Sequence, residues 1–208
     1  MSGIRIFTLL TLLGSSLVGS SQLVQPKEDK ELASNQIINL KEGALLIRLK
    51  KNSLKVEALR KYGREQEAKE EERRMELENA STIRAIKTSY TFSRYYFFYS
   101  ENSDLLRARK WDGIVLDSTL MPVNLPKNLF YLVGEFGETR EMNIDAFVVL
   151  DSQYIQMEKP FPFMVKRINN LVANRKKEDI IRILNDKFFE FYEKGKEYLE
   201  ERKLKAKK

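Results

Sequence analysis

Leu45, Ile47 and Leu49 alternate with Leu46, Arg48 and Lys50, the period of a half-buried strand over residues 44–50. The break Lys50-Lys51-Asn52-Ser53 then gives way to a helical pattern, with Ser53 as a cap for residues 54–62 and Gly63 as its stop. Residues 64–87 are dense in helix formers and pair Glu65 with Lys69 and Glu70 with Arg74 at a spacing of four. Their seam, Ala68, Glu72, Met75, Asn79, Ile83, Ile86, is apolar only in its second half. The charge run is therefore read as a solvated face rather than a coiled-coil dimer seam.

The aromatic run in residues 90–100 predicts a strand buried on both faces, placed at the centre of the sheet. Asn102-Ser103-Asp104 caps a short helix to Lys110, and residues 113–117 and 129–136 read as two more strands. Residues 146–157 read as a hairpin turning on Asp151-Ser152. Pro160 to Phe163 cannot continue a central strand. Between 177 and 204, Ile180, Ile181, Leu184, Phe188, Phe191, Tyr192, Tyr198 and Leu199 recur at three and four, a long amphipathic helix that Gly195 weakens. Residues 21–41, polar and carrying Pro26, read as a linker or loosely held arm.

The fold class that follows is α/β: one domain over residues 42–208, with a mixed five- or six-stranded sheet covered by the long helices 64–87 and 177–204. A crossover onto a parallel neighbour and a late antiparallel hairpin are expected.

The N-terminus carries Arg5, an apolar stretch from Ile6 to Leu13 and small residues ending Val18-Gly19-Ser20, the order of a secretory signal peptide over residues 1–20. Cleavage is expected after Ser20 or Ser21. Residues 4–24 are alternatively long enough for a membrane anchor, and membrane contact is expected only through that segment if it is retained. The protein is thus expected to be exported, periplasmic or extracellular.

Composition removes most catalytic chemistry. The 208 residues contain no Cys and no His, which excludes disulfides, thiolate nucleophiles, Ser-His-Asp triads and imidazole or thiolate metal sites. The net charge of +7 is unevenly spread: 0 over residues 1–40, +4 over 41–88, −3 over 89–165 and +6 over 166–208. Such a pattern does not wrap nucleic acid, and no nucleic-acid partner is expected. Neither a GxGxxG nor a GxxxxGK[ST] motif occurs, and no EF-hand pattern, so no cofactor or metal is expected. Gly134 and Gly137 read as a bulge or a tight strand exit.

Five carboxylates, Asp117, Glu135, Glu138, Asp145 and Asp151, could gather at strand ends. The echo Val115-Leu116-Asp117-Ser118 and Val149-Leu150-Asp151-Ser152 would put two of them at like ends of neighbouring strands. Two carboxyls in one pocket about 5 to 10 Å apart would permit glycosidase-like acid/base hydrolysis. The alternative is that each Asp accepts hydrogen bonds from the amides of its own turn. Trp111, in the polar stretch Arg109-Lys110-Trp111-Asp112-Gly113, is either packed or a partly exposed contact for a partner.

The succession GALLIRL, alternating-charge helix, YYFFYS and AFVVLDSQYIQMEKPFPF, over residues 42–165, resembles a group of exported bacterial proteins of unknown function. The resemblance implies export and brings no site residues. The FVVLD segment is also similar to the strand pair of thioredoxin-like domains, without their Cys-x-x-Cys. Together these readings lead to an exported, non-catalytic envelope or extracellular component acting on a protein or envelope partner, with a carboxylate-dependent hydrolase as the alternative.

Overall fold

A computed structural model describes residues 26–168 and 174–206. The expected signal segment and anchor lie outside the described residues. The fold is α/β, with a five-stranded mixed sheet in the order β2-β1-β3-β4-β5. Its strands are β1 (Ala44–Leu49), β2 (Arg94–Tyr99), β3 (Tyr131–Glu138), β4 (Asp145–Leu150) and β5 (Met164–Lys166). β1 lies parallel to both β2 and β3, whereas β4 runs antiparallel to β3 and to β5. The helices are α1 (Pro26–Glu42), α2 (Ser53–Lys61), α3 (Glu65–Ser89), α4 (Ser103–Arg107) and α5 (Lys177–Ala206).

The alternation in β1 sorts its side chains between two cores. Leu45, Ile47 and Leu49 join Phe97, Leu132, Phe147, Ile181 and Phe188 on the face covered by α1, α3 and α5. Ala44 and Leu46 join Phe98, Leu106, Trp111, Val115 and Val133 on the face covered by α4 and the loops around it. α3 buries Thr82, Ala85 and Ile86 in its second half, and its first half is not wholly a solvated face, since Ala68 and Glu71 are buried there as well.

Of the expected linker over residues 21–41, the described part from Pro26 is a helix and not a linker. Ala33, Ile37 and Leu40 form a buried stripe at helical spacing, and α1 packs along α5, where Gly195 lets Ser34 approach closely. Pro26 stands in the first turn, where its missing N–H costs nothing. The aromatic strand is the edge strand β2 and not the centre, a position held by β3. Phe97 and Phe98 are nevertheless fully buried on opposite faces, because the flanking layers extend past the sheet edge.

Residues 113–117 do not form a strand. A turn at Trp111 to Ile114 and a second at Asp117 to Met121 leave two antiparallel bridges, Leu116 to Pro122 and Leu116 to Phe97, the latter covering the outer edge of β2. The 146–157 hairpin is likewise reduced to the bridge Leu150 to Gln156. The strand that follows β4 and pairs with it antiparallel is β5, reached after Pro160 to Phe163. Gly134 makes no bulge. It sits inside β3, where an added Cβ would come 2.5 Å from the Phe147 ring.

Two substitutions test this packing in urea unfolding. Ile37→Ala should lower stability by about 3 kcal/mol, as for a core side chain and unlike a linker residue. Gly134→Ala should cost about 2 kcal/mol by forcing the Phe147 ring aside.

Candidate functional site

The chain leaves β1 onto one face of the sheet, through α2 and α3, and leaves β2 onto the other, through α4. Ligands of open α/β sheets bind outside the carboxyl ends of the strands, and although a 2-1-3 order puts the switch point between β1 and β3, depressions of this chain open a crevice outside β1 and β2. Here that crevice begins at Lys50 and Lys51 after β1 and at Tyr99 and Ser100 where β2 ends.

Its backbone is held by side chains. The Asn79 amide accepts from Lys50 N–H at 2.8 Å and donates to Lys50 C=O at 2.8 Å. The Ser100 hydroxyl does the same for Lys51, at 3.0 and 2.9 Å. Glu101 accepts from Ser53 N–H at 2.7 Å, occupying the start of α2, and pairs with Lys51 at 3.4 Å. These bonds from Ser53, with the charge of Lys51, hold the Glu101 carboxyl below its ordinary range.

Two depressions meet there. A groove of about 560 Å³ runs between α2, α3 and Leu120, over Val56, Met75, Ala80, Ile83 and Tyr99. Beside it a cleft of about 390 Å³ is lined by Lys50, Lys51, Arg74 and Arg167 against Glu71 and Glu78. Glu71 is held below the usual carboxylate range by hydrogen bonds from Lys55 and Arg74. For Glu78, burial opposes ionisation, yet the Lys177 ammonium at 2.8 Å outweighs it and the carboxyl is again lowered. Burial lowers Lys177 in turn, and the Thr82 hydroxyl accepts from its ammonium at 2.7 Å.

None of the carboxylates singled out in the sequence lines the groove or the cleft, and only Glu138 and Asp145 are paired in register with one another. Asp117 accepts from Thr119 N–H and Oγ and from Met121 N–H, and the Thr119 hydroxyl first among these keeps its carboxyl low. Asp151 accepts from Gln153 and Ile155 N–H in the same way. The echoed motif therefore builds the same turn twice, each with a bulky left-handed residue, Leu120 at φ 65° and Tyr154 at φ 62°. The two turns are not at like ends of neighbouring strands: one borders the outer edge of β2, and the other follows β4 beyond β1 and β3. Glu135 pairs with Arg48 at 2.9 Å and reaches the crevice wall, where the Tyr154 ring lies under the Arg48 guanidinium. Glu138, exposed, and Asp145, half-buried, face each other across β3 and β4, with Asp145 paired to Arg167 at 3.3 Å.

Trp111 is not a surface contact. It is 2% exposed, edge-on to Tyr131 and covered by Arg109. The residues that sequence reasoning missed, Lys50, Lys51, Asn79 and Ser100, belong to no motif. Lys50, Lys51 and Ser100 stand in the polar stretches directly after β1 and β2, and Asn79 lies within α3. Among the described residues no cluster of Asp and Glu could hold a metal ion, and no helix is long and apolar enough to cross a membrane.

Because Glu71 and Glu78 titrate lower in the folded chain than in the unfolded one, their contribution is complete above the unfolded carboxylate value and is lost as pH falls through the folded one. Stability measured by urea should therefore decline from pH 6 towards pH 3. Glu78→Gln should lower stability at pH 7, by leaving Lys177 without its counter-charge, and should flatten that acid decline.

Scanned against protein-family models, curated proteins and solved structures, the chain matches none.

Proposed function

We propose that this protein is an exported, non-catalytic binding component of the cell envelope or the extracellular space, and that the crevice at the carboxyl ends of β1 and β2 is its contact surface. The observation that carries the reading is the crevice itself: a solvent-open groove with an apolar floor and a charged rim, beside a cleft of four cations and two carboxylates, outside the carboxyl ends of two parallel strands. The carboxylates of a hydrolase reading are engaged elsewhere, Asp117 and Asp151 by turn amides and Glu135 and Asp145 by arginines. Export is supported by the order of charge, apolar core and small residues in the first twenty positions.

Two measurements on the native host test this. The protein in the envelope or medium should begin at Ser21 or Gln22 by N-terminal sequencing, and a full-length species in the soluble cytoplasm would overturn export. A photo-crosslinking residue in place of Leu120, at the groove, should capture an envelope component that the same residue in place of Arg182, exposed on α5, does not. Equal labelling from both positions would remove the crevice as the contact surface.

A further inference from the structure

Each long wall of the groove is a stripe along one helix. Ser53, Val56, Glu57 and Arg60 recur at three and four on α2, and Glu72, Met75, Glu76, Asn79, Ala80 and Ile83 do so on α3. Arg60 and Glu72 meet at 2.8 Å near the turn that joins the helices. One helical turn in from that pair stand Glu57 on one wall and Glu76 on the other, and the floor beyond them is apolar, with Val56, Ile83, Tyr99 and Leu120.

The charges of this lining are not equally free. Lys50 pairs with Glu78 at 3.6 Å, Lys51 with Glu101 at 3.4 Å, and Arg60 with Glu72 and, at 3.5 Å, with Glu65. All three cations are thus engaged, and so is the carboxylate of Glu72. Glu57 and Glu76 are exposed and have neither an ion pair nor a hydrogen bond among the described residues. The cations nearest to them in sequence, Lys61 one turn after Glu57 and Arg73 one turn before Glu76, do not line the groove and pair with neither. An apolar floor between two uncompensated carboxylates complements an apolar surface edged by cations.

An extended peptide draws on main-chain hydrogen bonds. At the open end of the groove those groups are spent, Lys50 on Asn79, Lys51 on Ser100 and the Ser53 amide on Glu101. A helix satisfies its own backbone and needs none of them. The stripe from Glu72 to Ile83 extends about 16 Å at 1.5 Å per residue, the length of about three turns laid beside it. Met75, unbranched, adapts to apolar side chains of different shape.

We infer that the groove docks an amphipathic helix of a protein partner, its apolar side chains on Val56, Met75, Ile83 and Leu120 and a Lys or Arg on each flank against Glu57 and Glu76. This assignment rests on the crevice being the contact surface and names the chemistry of what it contacts. The chain as a whole carries +7, so net charge does not draw a basic helix to it, and the attraction is local to the two carboxylates.

A labelled synthetic peptide of about fourteen residues, with leucines at helical spacing on one face and lysines on both flanks, tests the assignment by fluorescence anisotropy on titration with the full chain. It should bind at least about tenfold more tightly than the same peptide with Glu in place of Lys, or than one of the same composition with its leucines spread around the helix. The double variant Glu57→Gln/Glu76→Gln should weaken binding about fivefold, whereas Glu193→Gln/Glu197→Gln, the same change of net charge on α5, should leave it unchanged. Because Glu57 and Glu76 hold no partner in the fold, their variant should unfold in urea as the wild type does. Leu120→Asn should also weaken binding, since asparagine accepts the left-handed backbone while replacing the apolar wall. Independently of any variant, the methyl resonance of Met75 should shift on titration while that of buried Met157 does not. Equal affinity for the lysine and glutamate peptides, equal loss from the groove and α5 variants, or a stationary Met75 methyl would each overturn the assignment. Binding of the spread-leucine peptide, or of dodecylamine, as tight as that of the amphipathic peptide would overturn the helix as occupant. Selective crosslinking at position 120 without binding of the lysine peptide would sink this assignment and leave the function proposed above standing.

Discussion

Everything in this molecule follows from β1 having a parallel neighbour on each side. A parallel partner cannot be reached by a tight turn, so the chain must leave the sheet, cross a face and return. It does so twice in opposite directions. Right-handed crossovers taken in opposite directions run over opposite faces, which gives the sheet one cover of α1, α3 and α5 and another of α4 and loops. The six residues of β1 are consequently shared between two cores, and five of them are buried. The opening at its carboxyl end is the geometric residue of the same constraint.

The helical cover is locked where α3 hands over to β2. The Asn185 side chain on α5 accepts from both Thr91 and Phe92 N–H, at 2.8 and 2.9 Å, in the short link between helix and strand. One helical turn further along, the Phe188 ring makes edge contacts with Tyr90 and Phe92 and a tilted one with Phe161. α5 thereby fixes the start of the edge strand and the late loop with two side chains. Phe92 is fully buried although it lies outside any strand, which accounts for the aromatic density that reads in the sequence as the sheet centre.

The long elements were legible because their periodicity is long: α3, α5, β1 and β3 carry enough repeats to outvote local noise. α1 was not, since three buried apolar positions among polar neighbours make a weak stripe, and the partner that gives the stripe meaning lies more than 150 residues away. Whether β2 is central or at an edge depends on what covers Phe97 from outside, the single residue Leu116, and no pattern within β2 encodes that. The Asp turns were legible in kind, because a carboxylate two residues before an amide closes a turn wherever it stands. The crevice was not legible at all. Lys50 and Ser100 are unremarkable in sequence and become neighbours only through strand order, which no local signal carries.

The pairing of α1 with α5 has a mechanical consequence. Lys177 at the head of α5 touches Glu78 at the crevice, while Arg202 near its tail pairs with Glu31 and Tyr198 packs under Lys30. Twenty-five helical residues separate Lys177 from Arg202, roughly 38 Å at 1.5 Å per residue. The chain therefore enters at one pole beside the end of α5 and presents its crevice at the other. Any surface joined to the chain just before α1 would be held at arm's length from the crevice, which would then meet what arrives from solution or from an opposing surface rather than the support behind it.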